Sequence, residues 1–341
     1  MFMPLPLVSM CVMFHNQRDY VTKTLAGVFM QDYSPLEIVI SDDGSTDGTY
    51  ELILELLEKL KKDYPHFSVV LNHNEKALGM LGNREKVYSL AHGELLINVD
   101  GDDISYPQRV GRLVAAWLAN GKKSTMLTSE ALIVDEIDRP LGQTQFCGKP
   151  IGATLAIASF VLHFFPPVCH DAAYNAHDDL VYHLRASLFG ETLGIGEPLI
   201  FYRYGSGESS GGKYRKKMVR GFTGMISGMK QILLDLKACH DKVSISKRRF
   251  IYDKACKEIA FSEAILPLWT SNSFFMRLKA CLKAKYCCTW SIKRLVVCLV
   301  LLLPQTLGDF IFLCCEKLKR CICLSRAKKS NMSQLDAILG A

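Results

Sequence analysis

A chain of 341 residues, 49% hydrophobic and 22% charged, can bury one large core together with an appendage, so a globular chain and not a disordered one is expected. The net charge of +7 is unevenly laid out: acidic residues dominate around Asp43 and Asp102, whereas Lys and Arg gather after Lys213. That layout points to an anionic membrane surface and away from a nucleic-acid duplex.

Met1-Phe2-Met3-Pro4-Leu5-Pro6 carries no basic segment ahead of an apolar one, so no cleaved signal peptide is expected. Hydrophobic periodicity and turn residues then predict alternating strands and helices. Leu7 to Phe14 reads as a buried strand, Tyr20 to Met30 as a helix and Leu36 to Ser41 as a second strand. The turn residues Asp42-Asp43-Gly44-Ser45-Thr46-Asp47-Gly48 lead into an amphipathic helix from about Thr49 to Lys62. Phe67 to Asn72 is a third strand, Met80 to Ala91 a helix closed by Gly93, and Glu94 to Val99 a fourth strand ending at Asp100. Pro107 suits a first helical turn, and Gly121 lies just past a helix over Arg109 to Ala119. This order predicts an α/β fold: a mainly parallel sheet with helices on both faces and ligands beyond the carboxyl ends of the strands.

After Tyr214 the sequence turns basic and helix-compatible, with Lys216-Lys217 and Lys247-Arg248-Arg249, which predicts a helical C-terminal extension over 216–290. From Leu295 to Cys315 it is strongly apolar, broken by Pro304-Gln305 and Asp309 and flanked on both sides by Lys and Arg. The length would suit a span, but a charge at mid-bilayer costs at least ~2.5 kcal/mol and single spans usually carry basic residues on one side. An interfacial or re-entrant pair of helices hinged at Pro304 is favoured over a single span. The expected organisation is thus 1–215, 216–290 and a membrane-associating tail at 291–341. Of 13 cysteines, three precede position 200 and eight lie at or beyond Cys281, a distribution that suits a reducing compartment better than a disulfide framework.

Two acidic clusters carry chemistry. Asp42-Asp43 follows a buried strand and can present a carboxylate to the N–H edge of a base such as uracil, or it can simply form a turn that caps the next helix. In Asp100-Gly101-Asp102-Asp103, carboxylates two positions apart around a glycine can converge on a hard divalent cation and leave places for diphosphate oxygens and water. A dinucleotide site needs a glycine-rich first turn, yet the first strand runs into His15-Asn16-Gln17-Arg18-Asp19. A metal ion is then the natural counter-charge for a pyrophosphate.

Taken together, Val8-Ser9 through His15-Asn16, Gln31-Asp32-Tyr33, and Leu36 through Thr49 resemble the donor-binding opening of the family 2 glycosyltransferases of the GT-A fold. Gly93-Glu94, Asp100-Gly101-Asp102-Asp103 and Pro107-x-Arg109 resemble that family's DxD segment, and the likeness extends over roughly residues 5 to 215. The resemblance implies that Asp43 accepts the base N–H, that Phe14 and His15 line the base, and that Asp102 with Asp100 binds Mn²⁺ or Mg²⁺ bridging the donor phosphates. It also implies that Asp178-Asp179, ahead of Arg185, matches the family's acidic pair, with Asp179 as catalytic base and Asp178 as its neighbour. For this pair the alternative is a helix N-terminus that favours carboxylates through its dipole. Tyr202-Arg203-Tyr204-Gly205 is similar to the family's tyrosine-arginine-x-histidine segment but has Gly205 at the histidine position, which leaves open what completes the metal shell. The glycine-rich stretch from Gly205 to Gly212 is either a lid whose Lys213 and Arg215 meet the diphosphate or a solvated linker.

The expected function is inverting, metal-assisted sugar transfer from a nucleotide diphosphate donor to a lipid-linked or polysaccharide hydroxyl. It would take place on the cytoplasmic side of a membrane contacted through residues 291–330. The alternative is a membrane-associated nucleotide-sugar-binding protein without turnover.

Overall fold

The structure is a computed structural model and describes residues 4–143, 151–168, 178–204, 214–239 and 241–287. Among these, nine strands form one sheet: β1 (Val8–Phe14), β2 (Leu36–Asp42), β3 (Ser68–His73), β4 (Leu95–Asp100), β5 (Ile104–Ser105), β6 (Ser124–Val134), β7 (Pro140–Gln143), β8 (Ala156–Ala158) and β9 (Glu191–Arg203). The helices are α1 (Val21–Phe29), α2 (Thr49–Asp63), α3 (Gly79–Ser89), α4 (Arg109–Ala119), α5 (Asp178–Phe189), α6 (Tyr214–Ala238), α7 (Ile245–Thr270) and α8 (Phe274–Cys287). All the elements expected as far as Ala119 are present within two residues of their expected ends. Pro107 stands ahead of α4, whose N-cap is Gln108, and Gly121 ends that helix in the left-handed region.

Strand order is β3-β2-β1-β4-β8-β6-β9-β5, with β7 on β6. The first four strands are parallel, and every residue of β1 and β2 is buried, as strands covered on both faces must be. Beyond β4 the sheet is mixed: β8 runs antiparallel to β4 and β6, β9 parallel to β6, and β5 antiparallel to β9. Asp100 to Asp103 therefore connect the parallel half, where Met13 pairs with Asp100, to the mixed half, where Ile104 pairs with Phe201.

At the opposite end of the parallel half a buried carboxylate fixes the frame. Glu37 on β2 accepts hydrogen bonds from Ser9 Oγ at 2.6 Å, His92 N at 2.9 Å and His92 Nδ1 at 2.8 Å. Ser9 Oγ in turn accepts from Gly93 N at 2.8 Å, and a Cβ on Gly93 would stand 2.5 Å from Ser9 N, so the glycine is a matter of space. Burial alone would raise the Glu37 carboxyl, but the Ser9 and His92 hydrogen bonds hold it below its ordinary value. Its stabilisation is complete above the unfolded pKa of ~4.3 and is lost as pH falls through the lower folded value. Glu37→Gln is expected to lower unfolding free energy by about 1–3 kcal/mol near neutral pH. In urea melts across pH, the gap to the parent should narrow below about pH 4.3.

The described residues divide into two compact units. One holds the sheet with α1–α4 and α5 from Tyr182 onward; the other holds 178–181 and the helices α6–α8. In the second unit Ile265, Leu268 and Trp269 of α7 and Ala280 and Cys281 of α8 form a core, against which Met218, Val219 and Phe222 of α6 and Phe261 of α7 pack. A helical C-terminal region is thus present, with α6 beginning at Tyr214. No helix among the described residues is long and apolar enough to cross a membrane. The tail expected to associate with a membrane, 291–341, lies outside the described residues.

Candidate functional site

The parallel register brings the two acidic clusters to one edge of the sheet. β1 lies between β2 and β4, with Phe14 opposite Asp42 on one side and Met13 opposite Asp100 on the other. Phe14 is buried at the end of β1, and His15 follows it in an exposed position, its Nδ1 2.8 Å from the carbonyl oxygen of Asp43. The glycine-free turn after β1 is closed by side chains. Asn16 adopts a positive φ of 50°, its N–H donates to Ser45 Oγ at 2.9 Å, and its Oδ1 accepts from Thr46 N at 2.9 Å. Gln17 N donates to Thr49 Oγ1 at 2.9 Å, and Arg18 N to Asp47 Oδ2 at 3.1 Å.

The adjacent aspartates have different surroundings. Asp42 is fully buried and accepts from Ser45 N at 3.0 Å and from the His73 ring at 2.9 Å, so it closes the turn. Asp43, 2% exposed, reaches across to α3: Oδ1 accepts from Asn74 Nδ2 at 2.9 Å and Leu78 N at 2.7 Å, and Oδ2 from Gly79 N at 2.8 Å. A carboxylate offers about four acceptor positions, so one on Oδ2 remains for an incoming N–H.

The acidic loop is held from below. A Cβ on Gly101 would stand 2.6 Å from Met13 O and closer still to Phe14 and Gln17, so only glycine lets the loop cross the end of β1. Thr24 Oγ1 donates to Gly101 O at 2.9 Å and to Asp103 O at 3.0 Å. Arg109, buried on α4, donates to Ser105 Oγ at 2.9 Å, Asn98 O at 2.8 Å and Ala153 O at 2.9 Å; burial lowers its guanidinium to about 10. Arg203, at the end of β9, donates through its guanidinium to the Asp138 carboxylate and to the Asp102 carbonyl and lies 4.5 Å from the Tyr20 ring centre. Its N–H donates to Asp103 Oδ1 at 2.8 Å, and Lys23 also pairs with Asp138. Asp138 sits in the β6–β7 turn with φ of 65°, which turns a buried carboxylate inward. Asp138→Asn keeps the shape and removes the charge; it is expected to cost about 1.5–3 kcal/mol in chemical unfolding, the range for hydrogen bonds to a charged partner.

These acids suit a cation. Asp100 Oδ1 accepts from Asn98 Nδ2 at 3.0 Å and lies 3.6 Å from Nη2 of the buried Arg84, while Asp102 is 7% exposed. Burial and then the neighbouring Asp102 and Asp100 charges push the Asp103 carboxyl well above the usual carboxylate range, and its Oδ2 meets no hydrogen-bond donor among the described residues. Three carboxylates in four residues therefore repel one another where a divalent charge would relieve them. No three His, Cys, Asp or Glu side chains among the described residues are grouped to enclose a metal ion. Asp100 and Asp102 would supply two ligands, with diphosphate and water as the rest of a hard cation's oxygen shell.

On α5, Asp178 opens the helix, and Asp179 Oδ1 accepts from Leu180 N at 2.8 Å. Arg185 is buried: it donates to Pro166 O at 2.7 Å, lies 3.8 Å from Glu85 Oε1 on α3, and stacks 5.0 Å from the Phe165 ring centre, so it fastens the helix. Tyr182 donates to Glu85 Oε1 at 2.7 Å. Arg215 in the helical unit donates to the carbonyl of Trp269. Gly205, the rest of the glycine-rich stretch and Lys213 lie outside the described residues.

Sequence reasoning did not identify Asn74, the N–H groups of Leu78 and Gly79, Arg84, or Asp138 as neighbours of the site. Asn74 stood just past a parallel strand, where ligand-facing residues gather. A lone arginine on a helix such as Arg84 reads as solvated, and Asp138 as an ordinary turn residue.

Residues 9–156 match the family model described as glycosyl transferase family 2. The GalNAc(5)-diNAcBac-PP-undecaprenol beta-1,3-glucosyltransferase of Campylobacter jejuni is 32% identical over 99 residues, 29% of this chain and 30% of that protein. The matched region spans less than half the length of the curated relatives to which it is similar. The structure of S. aureus TarS 1-349 in complex with UDP has a TM-score of 0.51 at 15% identity, covering 82% of this chain and 89% of that one. The mannosyltransferase PcManGT from Pyrobaculum calidifontis, in complex with GDP-Man and Mn2+, has a TM-score of 0.50 at 17% identity, covering 86% and 78%. At these identities the likeness shows the fold, which is GT-A.

Proposed function

We propose that this chain, whose residues 9–156 match the glycosyl transferase family 2 model, is an inverting transferase that moves a sugar from a nucleoside diphosphate donor to a hydroxyl of a lipid-linked or polysaccharide acceptor. The observation that carries this reading is the meeting of Asp43 and Asp100–Asp103 at one sheet edge, on either side of a first strand whose turn lacks glycine. Asp43 would take the base N–H on its remaining acceptor position, with Phe14 and His15 beside the base. Asp102 and Asp100 would hold Mn²⁺ or Mg²⁺, which stabilises the charge of the departing diphosphate. Asp179 would accept the proton of the acceptor hydroxyl as its oxygen attacks the anomeric carbon from the side opposite the diphosphate, which inverts that centre. Asp178 would adjust the charge beside it.

The metal reading is supported by the Mn2+ in the Pyrobaculum structure and by the mutual repulsion of the loop carboxylates. A lipid-linked acceptor is supported by the undecaprenol-linked substrate in the name of the Campylobacter relative. With it goes contact with the cytoplasmic face of a membrane through residues 291–330.

The test is a panel of UDP- and GDP-sugars offered to the full chain with a polyprenyl-diphosphate saccharide and Mn²⁺. Acceptor-dependent release of nucleoside diphosphate, stopped by EDTA, is expected, with the new linkage opposite in anomeric configuration to the donor. Donor binding with no transfer to lipid or polysaccharide would instead leave the binding protein without turnover, and a retained configuration would overturn the inverting assignment.

A further inference from the structure

Helix α8 has two faces that differ from those of an ordinary surface helix. Arg277, Ala280 and Cys281 are buried, and the last two join the core formed with Ile265, Leu268 and Trp269 of α7. The opposite side carries Phe275, Met276, Lys279, Leu282 and Lys283, all exposed, with Phe275 at 79%, Met276 at 55% and Leu282 at 57%. At 3.6 residues per turn these five positions form one stripe, roughly 120° wide. A solvated helix face would place acids among its bases and keep large apolar groups inward; this face does neither.

Charge narrows what can cover it. From Ala264 to Gly308 the sequence contains no Asp or Glu, while Arg277, Lys279, Lys283, Lys285, Lys293 and Arg294 fall within that stretch. A second copy docked face to face would set Lys279 and Lys283 against the same lysines. A stripe in which Lys279 and Lys283 lie between Phe275, Leu282 and Met276, free of acids, suits a helix lying in a lipid interface, with the aromatic and aliphatic groups among the acyl chains and the long lysine stems reaching back to set their ammonium groups at anionic headgroups.

We propose that the outer face of α8, through Phe275, Met276 and Leu282 with Lys279 and Lys283, is a docking surface for an anionic lipid bilayer. It is distinct from the tail and stands whether or not that tail spans. The surface would hold the helical unit flat against the headgroups.

The direct test places a benzoylphenylalanine photo-crosslinker at position 275 of the full chain, bound to vesicles of equal parts phosphatidylglycerol and phosphatidylcholine. Illumination is expected to give a lipid adduct, and the yield should fall sharply on phosphatidylcholine vesicles. In co-sedimentation, Lys279→Ala with Lys283→Ala should weaken binding to the mixed vesicles roughly 25-fold, about fivefold per lysine. Helical content checked by circular dichroism should stay the same, since both lysines point away from the core. A vesicle-bound chain that gives no lipid adduct at 275, or gives a protein–protein adduct instead, would overturn the proposal. So would a double lysine variant that binds the mixed vesicles as tightly as the parent.

Discussion

Asp179→Asn is expected to lower turnover by ~10²–10⁴-fold, the span for loss of a positioned general base, with donor affinity and folding retained. The change keeps the size of the side chain and its acceptor for Leu180 N, so the local hydrogen bond that Asp179 makes at the start of α5 can persist. Further along, α5 is fastened by Tyr182 to Glu85 and by Arg185 to Pro166 O, contacts that neither aspartate makes. If the two carboxylates were there only for the helix dipole, Asp178→Asn and Asp179→Asn would each cost about 0.3–1 kcal/mol of stability and leave turnover alone. Pre-steady-state turnover with donor affinity measured alongside separates these outcomes. A dead Asp178→Asn beside a normal Asp179→Asn would move the base by one residue, and two normal variants would remove it from this helix.

The parallel half of the fold was legible because its signals are local. β1 and β2 are mostly apolar and fully buried, the turn after β2 is spelled in Asp, Gly, Ser and Thr, and α4 is bounded by Pro107 and Gly121. The acidic clusters were legible for the same reason: each directly follows a buried strand, and parallel pairing takes both to the same edge. The mixed half was not. β9 contains Gly194, Gly196 and Pro198, which break the strand pattern, and its pairing with β6 shifts register around Glu130. Its partner lies more than 60 residues earlier, and no local period encodes such a contact. The support of the acidic loop was hidden with it. Arg203 stood in a segment singled out for its missing histidine, yet its role depends on Asp138, whose inward carboxylate follows from a backbone conformation that sequence does not show.

Asp102→Ala and Asp43→Ala are both expected to impair the donor site, and the structure separates the ways they do so. Asp102 lends its backbone carbonyl to Arg203, a bond that the alanine keeps, so the loop should stay in place while the carboxylate is lost. Turnover is expected to fall at least ~100-fold, the low end of several kcal/mol of charge stabilisation, and donor affinity should no longer respond to Mn²⁺. Affinity for free nucleoside, measured without metal, should be unchanged. Asp43→Ala should weaken nucleoside binding with or without metal. It should also cost stability, because the N–H groups of Leu78 and Gly79 lose their acceptor at the start of α3. Two orphaned donors correspond to about 1–3 kcal/mol each at full burial, less where water reaches the helix end. Because α3 also carries Arg84 beside Asp100, the unfolding midpoint of Asp43→Ala must be read together with its affinity. Calorimetric titration of nucleoside and of donor with and without Mn²⁺ resolves the pair. If Asp102→Ala kept a metal-dependent donor affinity, the cation would have to be held elsewhere, and if a folded Asp43→Ala bound nucleoside like the parent, the last acceptor position on Oδ2 would not be where the base sits.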